Sequence, residues 1–210
     1  MALLAKIKQF YERPWLEKTQ SLGQVYWSLK SRCYYRLFFG QIGKRSKLIQ
    51  PMRLRNVEHI YIEDNVTVNK YAFLLTLQTD PLKRPKLVLG EGSVIGHMNH
   101  ITCIDQITIG RRVLTADRVY ISDHSHDFSN PNLPIMEQGL SSKGKISIGD
   151  GTWIGENAVV LCCSIGKHCV IGANAVVIHD VPDYCVAAGI PARVIKRLDP
   201  QFRSWENIKR

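Results

Sequence analysis

The sequence predicts an all-β solenoid, in which short parallel strands stack in successive coils. An aliphatic residue recurs every six residues and is usually followed by glycine or a small polar residue, most clearly over residues 148–159. Glycine, asparagine and aspartate interrupt the β-branched stretches at the same interval, and these residues permit the positive φ angles of tight turns. Apolar residues do not recur three and four apart in this region, so a helical reading is disfavoured.

The six-residue period extends over roughly residues 48 to 190, with a slip of one residue near Cys162. Its copies start at Ile62, Leu89, Ile109, Ile148, Ile154, Ile165 and Ile171. Stacked repeats of this kind bury a continuous aliphatic column, and each repeat is stable only against its neighbours.

We expect three parts in the chain: a basic, partly helical segment (1–47), the solenoid domain (48–196) and a basic C-terminal tail (197–210). Apolar residues spaced three and four apart between Trp15 and Phe39 predict one amphipathic helix, which Gly40 is expected to stop. Its aromatic and basic residues favour contact with an anionic membrane surface, or packing against the solenoid or a neighbouring subunit.

Composition predicts a folded protein of one domain. The chain has 210 residues, of which 45% are hydrophobic and 22% charged. Neither a membrane-spanning apolar run nor a secretory leader is predicted, so we expect a cytoplasmic protein. The six cysteines contain no C-x-x-C pair, and we expect them to be reduced, small core residues.

The net charge of +10 is concentrated near the start, where residues 1–55 contain twelve Lys and Arg against two acidic residues. Such an excess attracts phosphate groups, which belong to nucleic acids, anionic membranes and phosphorylated cofactors alike. Because the sequence contains no recognition module for nucleic acid, we do not expect a nucleic-acid partner.

Two segments interrupt the repeat. The longer one, residues 122–145, opens with Asp-His-Ser-His-Asp at 123–127. Loops extruded from a rigid scaffold commonly carry function, so these side chains are the first candidates for chemistry. The shorter one, residues 77–86, is basic and contains proline, and nothing in the sequence assigns it a role beyond shaping a pocket.

The hexads, the extruded histidine loop, Trp153-Ile154-Gly155 and the Ala-Ala-Gly-Ile-Pro-Ala-Arg ending at 187–193 resemble the hexapeptide-repeat acyltransferases. The similarity covers about two-thirds of the chain. It is greatest to the sugar O-acetyltransferase branch, which includes galactoside and maltose acetyltransferases and the O-acetylases of surface polysaccharides.

This resemblance implies a left-handed parallel β-helix with an N-terminal helical segment and an extruded active-site loop. The handedness rests on the resemblance alone, because parallel crossovers are otherwise nearly always right-handed. It also implies an acetyl-CoA-dependent O-acetyltransferase that acts on a saccharide hydroxyl, with a surface polysaccharide or lipid-linked glycan as the expected acceptor. A homotrimer with active sites between subunits is expected, in the cytoplasm or at the inner face of the membrane, without a metal.

In this resemblance His124 corresponds to the catalytic base, with His126 as the alternative. A neutral imidazole takes the proton of the acceptor hydroxyl as it attacks the thioester, and no acyl-enzyme is required. Asp123 or Asp127 orients the base or is a solvated loop acid, and Asp123 is also a candidate contact for the acceptor. Asn99 corresponds to an acceptor-binding position, or is an ordinary turn asparagine.

The resemblance also identifies residues that contact CoA. They are Trp153, Gly155, Ala173, Val177, Arg193 and Lys196. Trp153 corresponds to the tryptophan beside the pantetheine arm or is a corner-filling aromatic, and the two basic residues meet the CoA phosphates or lie on a solvated face. Glu156 departs from the family pattern, which has a small residue there, so the CoA contact at this position is left open.

Two other functions remain open at this point. The same β-helix carries carbonic anhydrases, in which histidines of adjacent subunits hold a metal, so His124 and His126 are also candidate ligands. The remaining histidines do not form that family's spacing. A non-catalytic scaffold is the second alternative, because solenoids often serve in assembly.

Overall fold

The computed structural model describes residue 12, residues 14–199 and residues 204–208. The start of the predicted N-terminal segment and parts of the predicted tail lie outside these residues. Within them, the chain forms one α-helix, three parallel sheets with a C-terminal antiparallel extension, and a two-stranded antiparallel ribbon.

Helix α1 (Trp15–Cys33) precedes the sheets and is followed by a 3-10 turn at Tyr35–Leu37. The predicted helix is confirmed, but it ends before the expected stop at Gly40. Beyond its end, Tyr35 and Phe39 pack against the core, which draws the chain out of helical geometry. No helix in the described part of the chain is long and apolar enough to cross a membrane.

A buried serine joins the helix to the first coil. The Ser31 hydroxyl is fully buried, donates to the carbonyl of Trp27 at 2.7 Å, and accepts from the amide of Leu48 at 2.9 Å. The helix is therefore fixed to the short strand Lys47–Leu48 through a backbone amide that this strand would otherwise leave unpaired.

Three sheets form the body of the protein. Sheet A contains β1 (Gln41–Ile42), β4 (Ile60–Ile62), β7 (Lys86–Leu89), β10 (Gln106–Ile109) and β15 (Ile146–Ile148). The parallel strands of sheet B are β2 (Lys47–Leu48), β5 (Thr67–Val68), β8 (Val94–Ile95), β11 (Leu114–Thr115), β16 (Trp153–Ile154), β18 (Val170–Ile171) and β20 (Cys185–Gly189). Sheet C contains β3 (Arg53–Arg55), β6 (Phe73–Thr76), β9 (His100–Cys103), β12 (Tyr120–Ser122), β17 (Val159–Leu161) and β19 (Val176–Val177).

The chain visits the sheets in the order A, B, C and then repeats, and each of the first five coils contributes one strand to each sheet. In the last coils, sheet A continues only as the isolated bridges of Ile165 and Val181. Register aligns the inward aliphatic residues, as in the column Ile62, Leu89, Ile109 and Ile148, whose members are at most 1% exposed. The predicted stacking of short parallel strands around an aliphatic column is thereby confirmed.

The limits of the coiled region differ from those predicted. β1 pairs with β4 from Gln41 onwards, so the sheets begin before residue 48. The sequence does contain a signal for this coil, the pair Ile42-Gly43 six residues before Leu48, but the prediction did not use it. At the other end, β21 (Ala192–Asp199) and β22 (Ser204–Asn207) add to sheet B in antiparallel fashion, so residues 197–199 continue a strand and do not start a tail.

Both insertions leave the coils at the corner where the chain passes from sheet C to sheet A, here called the C–A corner. Residues 77–85 leave it between β6 and β7, and residues 123–145 between β12 and β15. The longer insertion contains an antiparallel ribbon of β13 (His124–His126) and β14 (Leu140–Ser142). Between the two insertions lies a tight corner at residues 104–105.

All six cysteines are free thiols. The prediction of core positions is confirmed for the four buried residues, Cys103, Cys163, Cys169 and Cys185. It is wrong for Cys33, which is exposed at the end of α1, and Cys162 is only partly buried. Burial raises the pKa of the Cys163 thiol to about 11, so this side chain is protonated and acts as a small apolar residue.

Candidate active site

The carboxylate of Asp123 is fixed at the C–A corner by the coil before it. The side chain is fully buried. Oδ1 accepts a hydrogen bond from the amide of Ile104 at 2.9 Å, and Oδ2 accepts one from the amide of Asp105 at 2.9 Å. Asp123 is therefore a structural anchor of the loop, and the alternative of a solvated loop acid is wrong for it.

The same contacts keep this carboxylate ionised. Burial alone would raise the pKa of Asp123, but the hydrogen bonds from His124 and from the amides of Ile104 and Asp105 together outweigh burial and lower the pKa. Hydrogen bonds to the charged form of an acid favour that form.

His124 lies directly against this carboxylate. Its Nδ1 is 2.9 Å from Oδ1 of Asp123 and 3.3 Å from the hydroxyl of Ser122, and the residue is only 8% exposed. Because an ionised carboxylate only accepts hydrogen bonds, Nδ1 of a neutral ring carries the proton. Nε2, which makes no hydrogen bond in the described part of the chain, then has a free lone pair. This is the arrangement of a general base oriented by an acid.

His126 is placed differently, although it lies on the same strand. It is exposed, and its ring makes no hydrogen bond or ion pair with the described residues. The Oδ1 of Asp127 instead accepts from the amide of Ser129 at 2.9 Å in a local turn. Of the acids that flank the pair of histidines, only Asp123 contacts a ring.

Asn99 lies inside the solenoid. It is fully buried, and its Nδ2 donates to the carbonyls of Ala116 at 2.8 Å and His97 at 3.2 Å. Its Oδ1 is buried without a hydrogen-bond partner. The contacts are those of a turn asparagine that joins two coils, and the described surface offers an acceptor no access to this side chain.

The predicted CoA residues with exposed side chains lie near one line along the coils. Register pairs Trp153 with Val170, Val170 with Val186, and Val186 with Lys196. At about 4.8 Å a strand, Trp153 and Lys196 are about 14 Å apart along the axis. Trp153 is 48% exposed, and Arg193 and Lys196 are also exposed. The line provides an aromatic surface at one end and positive charge at the other.

Gly155 and Ala173 are neighbours at the corner between sheets B and C, here called the B–C corner. A Cβ atom on Gly155 would lie 2.6 Å from the amide nitrogen of Ala173, so only glycine permits this approach. The Val177 side chain is 1% exposed, which leaves only its backbone for any ligand contact.

Glu156, which departs from the family pattern, has a partner that the sequence did not predict. Its carboxylate forms an ion pair with the guanidinium of Arg118 from the preceding coil, which also donates from Nε to Asn157 at 2.7 Å. The extra negative charge beside the predicted CoA residues is thereby paired with a residue 38 positions away in sequence.

One chain does not bring all of these groups together. His124 lies on the insertion that starts at the C–A corner, whereas Gly155 and Ala173 lie at the B–C corner, on the opposite edge of sheet C. Sequence reasoning missed Ser122 and the amides of Ile104 and Asp105. Backbone amides carry no sequence signal, and their role follows only from the stacking of one corner on another. The described residues contain no cluster of three or more His, Cys, Asp or Glu that could hold a metal ion.

Replacing Asp123 with asparagine should lower the free energy of unfolding by about 3 kcal/mol at pH 7, because the buried network loses its negative charge and one of its two acceptor oxygens. The pKa of Asp123 is lower in the folded state, so its contribution is complete above the unfolded pKa of about 3.9 and is lost as the pH falls towards the folded value. Urea unfolding of Asp123→Asn and the wild type should therefore show a gap that narrows below about pH 4. Asp127→Asn, which keeps an acceptor for Ser129, is the control and should change stability by less than about 1 kcal/mol. A gap that is constant with pH would contradict the role of the ionised carboxylate.

Comparison with known proteins places this geometry in a family. The family model described as bacterial transferase hexapeptide (six repeats) matches residues 145–179. The putative lipopolysaccharide biosynthesis O-acetyl transferase WbbJ of Escherichia coli is 34% identical over 164 residues, which cover 74% of this chain and 81% of that protein.

Two solved structures are similar in fold. The N-acyltransferase AntD from Bacillus cereus, in complex with dTDP and 3-hydroxybutyryl-CoA, has a TM-score of 0.68 at 20% identity, over 82% of this chain and 90% of that chain. A hexapeptide-repeat-containing acetyltransferase from Vibrio cholerae, complexed with acetyl coenzyme A, has a TM-score of 0.53 at 25% identity, over 81% of this chain and 78% of that chain. The extent of the match to WbbJ, together with the repeat and the fold, shows that this chain belongs to the hexapeptide-repeat acetyltransferases.

Proposed function

We propose that this protein transfers an acetyl group from acetyl-CoA to a hydroxyl group of a saccharide, with His124 as the general base. The observation that carries the proposal is the buried pair of Asp123 and His124, in which Nδ1 is 2.9 Å from the carboxylate and Nε2 is left free. The similarity to a protein named as a lipopolysaccharide O-acetyl transferase supports a glycan of the cell surface, or its lipid-linked precursor, as the acceptor.

The proposed reaction is a direct transfer. Nε2 of His124 takes the proton of the acceptor hydroxyl while its oxygen bonds to the thioester carbonyl carbon. The carbon–sulfur bond of the resulting tetrahedral intermediate then breaks, and the proton passes from Nε2 to the CoA sulfur. Asp123 holds the ring in one tautomer and stabilises the imidazolium that forms between the two steps.

Acetyl-CoA is proposed to lie along the line from Trp153 to Lys196. The pantetheine arm packs beside the exposed indole and bonds to the backbone near Gly155, Ala173 and Val177. Arg193 and Lys196 meet the phosphates, since both are exposed cations at the far end of the line.

The proposed assembly is a homotrimer of left-handed β-helices with each active site between two chains. Membership of the family supports the handedness and the trimer. The separation of His124 from Gly155 and Ala173 on two corners supports a shared site, because a second chain must bring a CoA line to each histidine.

The proposed location is the cytoplasm, at the inner face of a membrane. Helix α1 exposes a stripe of apolar residues that no described residue covers: Leu22, Val25, Tyr26 and Leu29, each at least 55% exposed. Lys30 and Arg32 flank the stripe, and an amphipathic helix with basic flanks binds anionic lipid surfaces.

The general base is tested by comparing His124→Gln with His126→Gln. Release of CoA from acetyl-CoA, measured with and without a panel of saccharides, should fall by about 100- to 10,000-fold in His124→Gln, because the hydroxyl loses its proton acceptor. His126→Gln should stay within a few-fold of the wild type. Loss of activity in His126→Gln alone would move the base to His126. A wild type that does not turn over acetyl-CoA with any saccharide would contradict the acetyltransferase itself.

A shared site is tested by mixing two defective chains. His124→Gln should be inactive, and Arg193→Gln/Lys196→Gln should be nearly inactive at low acetyl-CoA. In random mixed trimers about a quarter of the sites combine an intact histidine with an intact CoA line, so unfolding and refolding the two chains together should restore activity. Light scattering after size exclusion measures the trimer mass. Absence of restored activity in a verified mixed trimer would place both halves of the site on one chain.

Membrane contact is tested by sedimentation with vesicles. The wild type should pellet with phosphatidylglycerol vesicles and much less with phosphatidylcholine vesicles, and added salt should weaken the interaction. Leu22→Ser/Leu29→Ser should lose binding to the vesicles. Leu82→Ser, which changes a 93% exposed leucine in the shorter insertion (residues 77–85), should keep it. Equal sedimentation of all three proteins would refute contact through α1.

A further inference from the structure

A column of rings lies on the outer face of sheet C. Strand register places Arg53, Phe73, His100 and Tyr120 side by side in the first four coils. The ring centroids of Phe73 and His100 are 5.1 Å apart, as are those of His100 and Tyr120. All three rings are partly exposed. In the next two coils the column continues as Val159 and Val176, so the aromatic surface is confined to the first four.

A second column, buried except for Arg55, runs beside the first and ends at the proposed base. It contains Arg55, Leu75, Thr102 and Ser122 in register. Ser122 is the residue whose hydroxyl lies 3.3 Å from Nδ1 of His124. Leu75, Thr102 and Ser122 are buried, so the exposed surface consists of the ring column and the two arginines, and the buried Ser122 connects its Tyr120 end to His124.

His100 connects the two ends of this surface electrostatically. Its pKa is lowered by burial, by the charge of Arg53 and by His124. A neutral ring at this position presents an apolar face with a polar edge. It also lies within electrostatic reach of both the arginine at one end and the histidine at the other.

Arg53 and Arg55 are exposed, and neither forms an ion pair with a carboxylate in the described part of the chain. Because they are two residues apart on one strand, their Cα atoms are about 7 Å apart and both side chains point outwards. Three strand spacings, about 14 Å, separate Arg53 from Tyr120. Two adjacent guanidinium groups match a doubly charged phosphate, to which each can donate two hydrogen bonds.

We propose that this surface, formed by Phe73, His100, Tyr120, Arg53 and Arg55, is an acceptor track for a phosphorylated oligosaccharide. Sugar rings lie along the aromatic column, where apolar ring faces pack and the tyrosine hydroxyl and histidine nitrogens form hydrogen bonds. The phosphate binds the two arginines, at a distance from the base that exceeds a single sugar ring. The hydroxyl to be acetylated is then at the end of the chain remote from the phosphate.

The inference rests on the proposed acetyl transfer and specifies its acceptor. The test measures binding of maltose 1-phosphate and lactose 1-phosphate, and of the matching methyl glycosides, by saturation-transfer NMR. The wild type should bind each phosphate at least 5-fold more tightly than its methyl glycoside, and the preference should decline with added salt because it is electrostatic.

Matched variants separate the two parts of the track. Arg53→Gln/Arg55→Gln should abolish the preference for phosphate, whereas Arg45→Gln, which removes an exposed arginine from another corner of the same coil, should preserve it. Tyr120→Leu should weaken phosphate and methyl glycoside alike, and Tyr61→Leu on sheet A should weaken neither. Circular dichroism verifies that each variant is folded.

Two outcomes overturn the track: equal binding of phosphates and methyl glycosides by the wild type, or equal preference in Arg53→Gln/Arg55→Gln and Arg45→Gln. If the wild type nevertheless acetylates the methyl glycosides in a His124-dependent manner, the enzymatic function stands without the track. If it prefers the phosphates but releases no CoA with any saccharide, the acetyl transfer is wrong, and the surface is not an acceptor track.

Discussion

Stacking of each coil on its neighbours holds this protein together, because a single turn of three short strands cannot bury its own apolar residues. Backbone amides and carbonyls point along the axis to the coils above and below, and one aliphatic residue from each strand enters the central column. This arrangement fixes the register. Once Ile62, Leu89, Ile109 and Ile148 are aligned, every outward side chain has a set neighbour in the next coil.

The proposed base depends on the same stacking. An aspartate in a free loop would be solvated and would not select one tautomer of a neighbouring histidine. Here the corner at Ile104 and Asp105 points two amides at Asp123, which keeps the carboxylate ionised and immobile. His124 is held against that carboxylate and is only 8% exposed, although its loop extends away from the coils. The rigid scaffold thus positions a residue that the sequence places in an irregular segment.

The residues proposed for the different functions lie at different positions along the solenoid axis. Trp153, Lys196 and the other residues proposed to bind CoA lie in the later coils and the C-terminal hairpin, whereas the aromatic and arginine surface of sheet C lies in the first four coils. His124 follows the last strand of the fourth coil and therefore lies between these two regions. Glu156 lies beside the residues proposed to bind CoA, and Arg118, one coil earlier, compensates its negative charge through an ion pair.

From the sequence alone we could predict the repeat, the parallel coils, the helix before them, the extruded loop and the two candidate histidines. These are local: a hexad, a glycine or a break in the period is visible within a few residues. Contacts between coils, by contrast, determine that Asp123 is buried, that Asn99 lies inside a turn, that Glu156 has a partner, and that the first coil begins at Gln41. The hydrogen bond from Ile104 to Asp123 joins residues 19 apart, and the pair of Arg118 and Glu156 joins residues 38 apart. Such contacts depend on register between coils and on the length of the insertion between them, and no local pattern encodes either one.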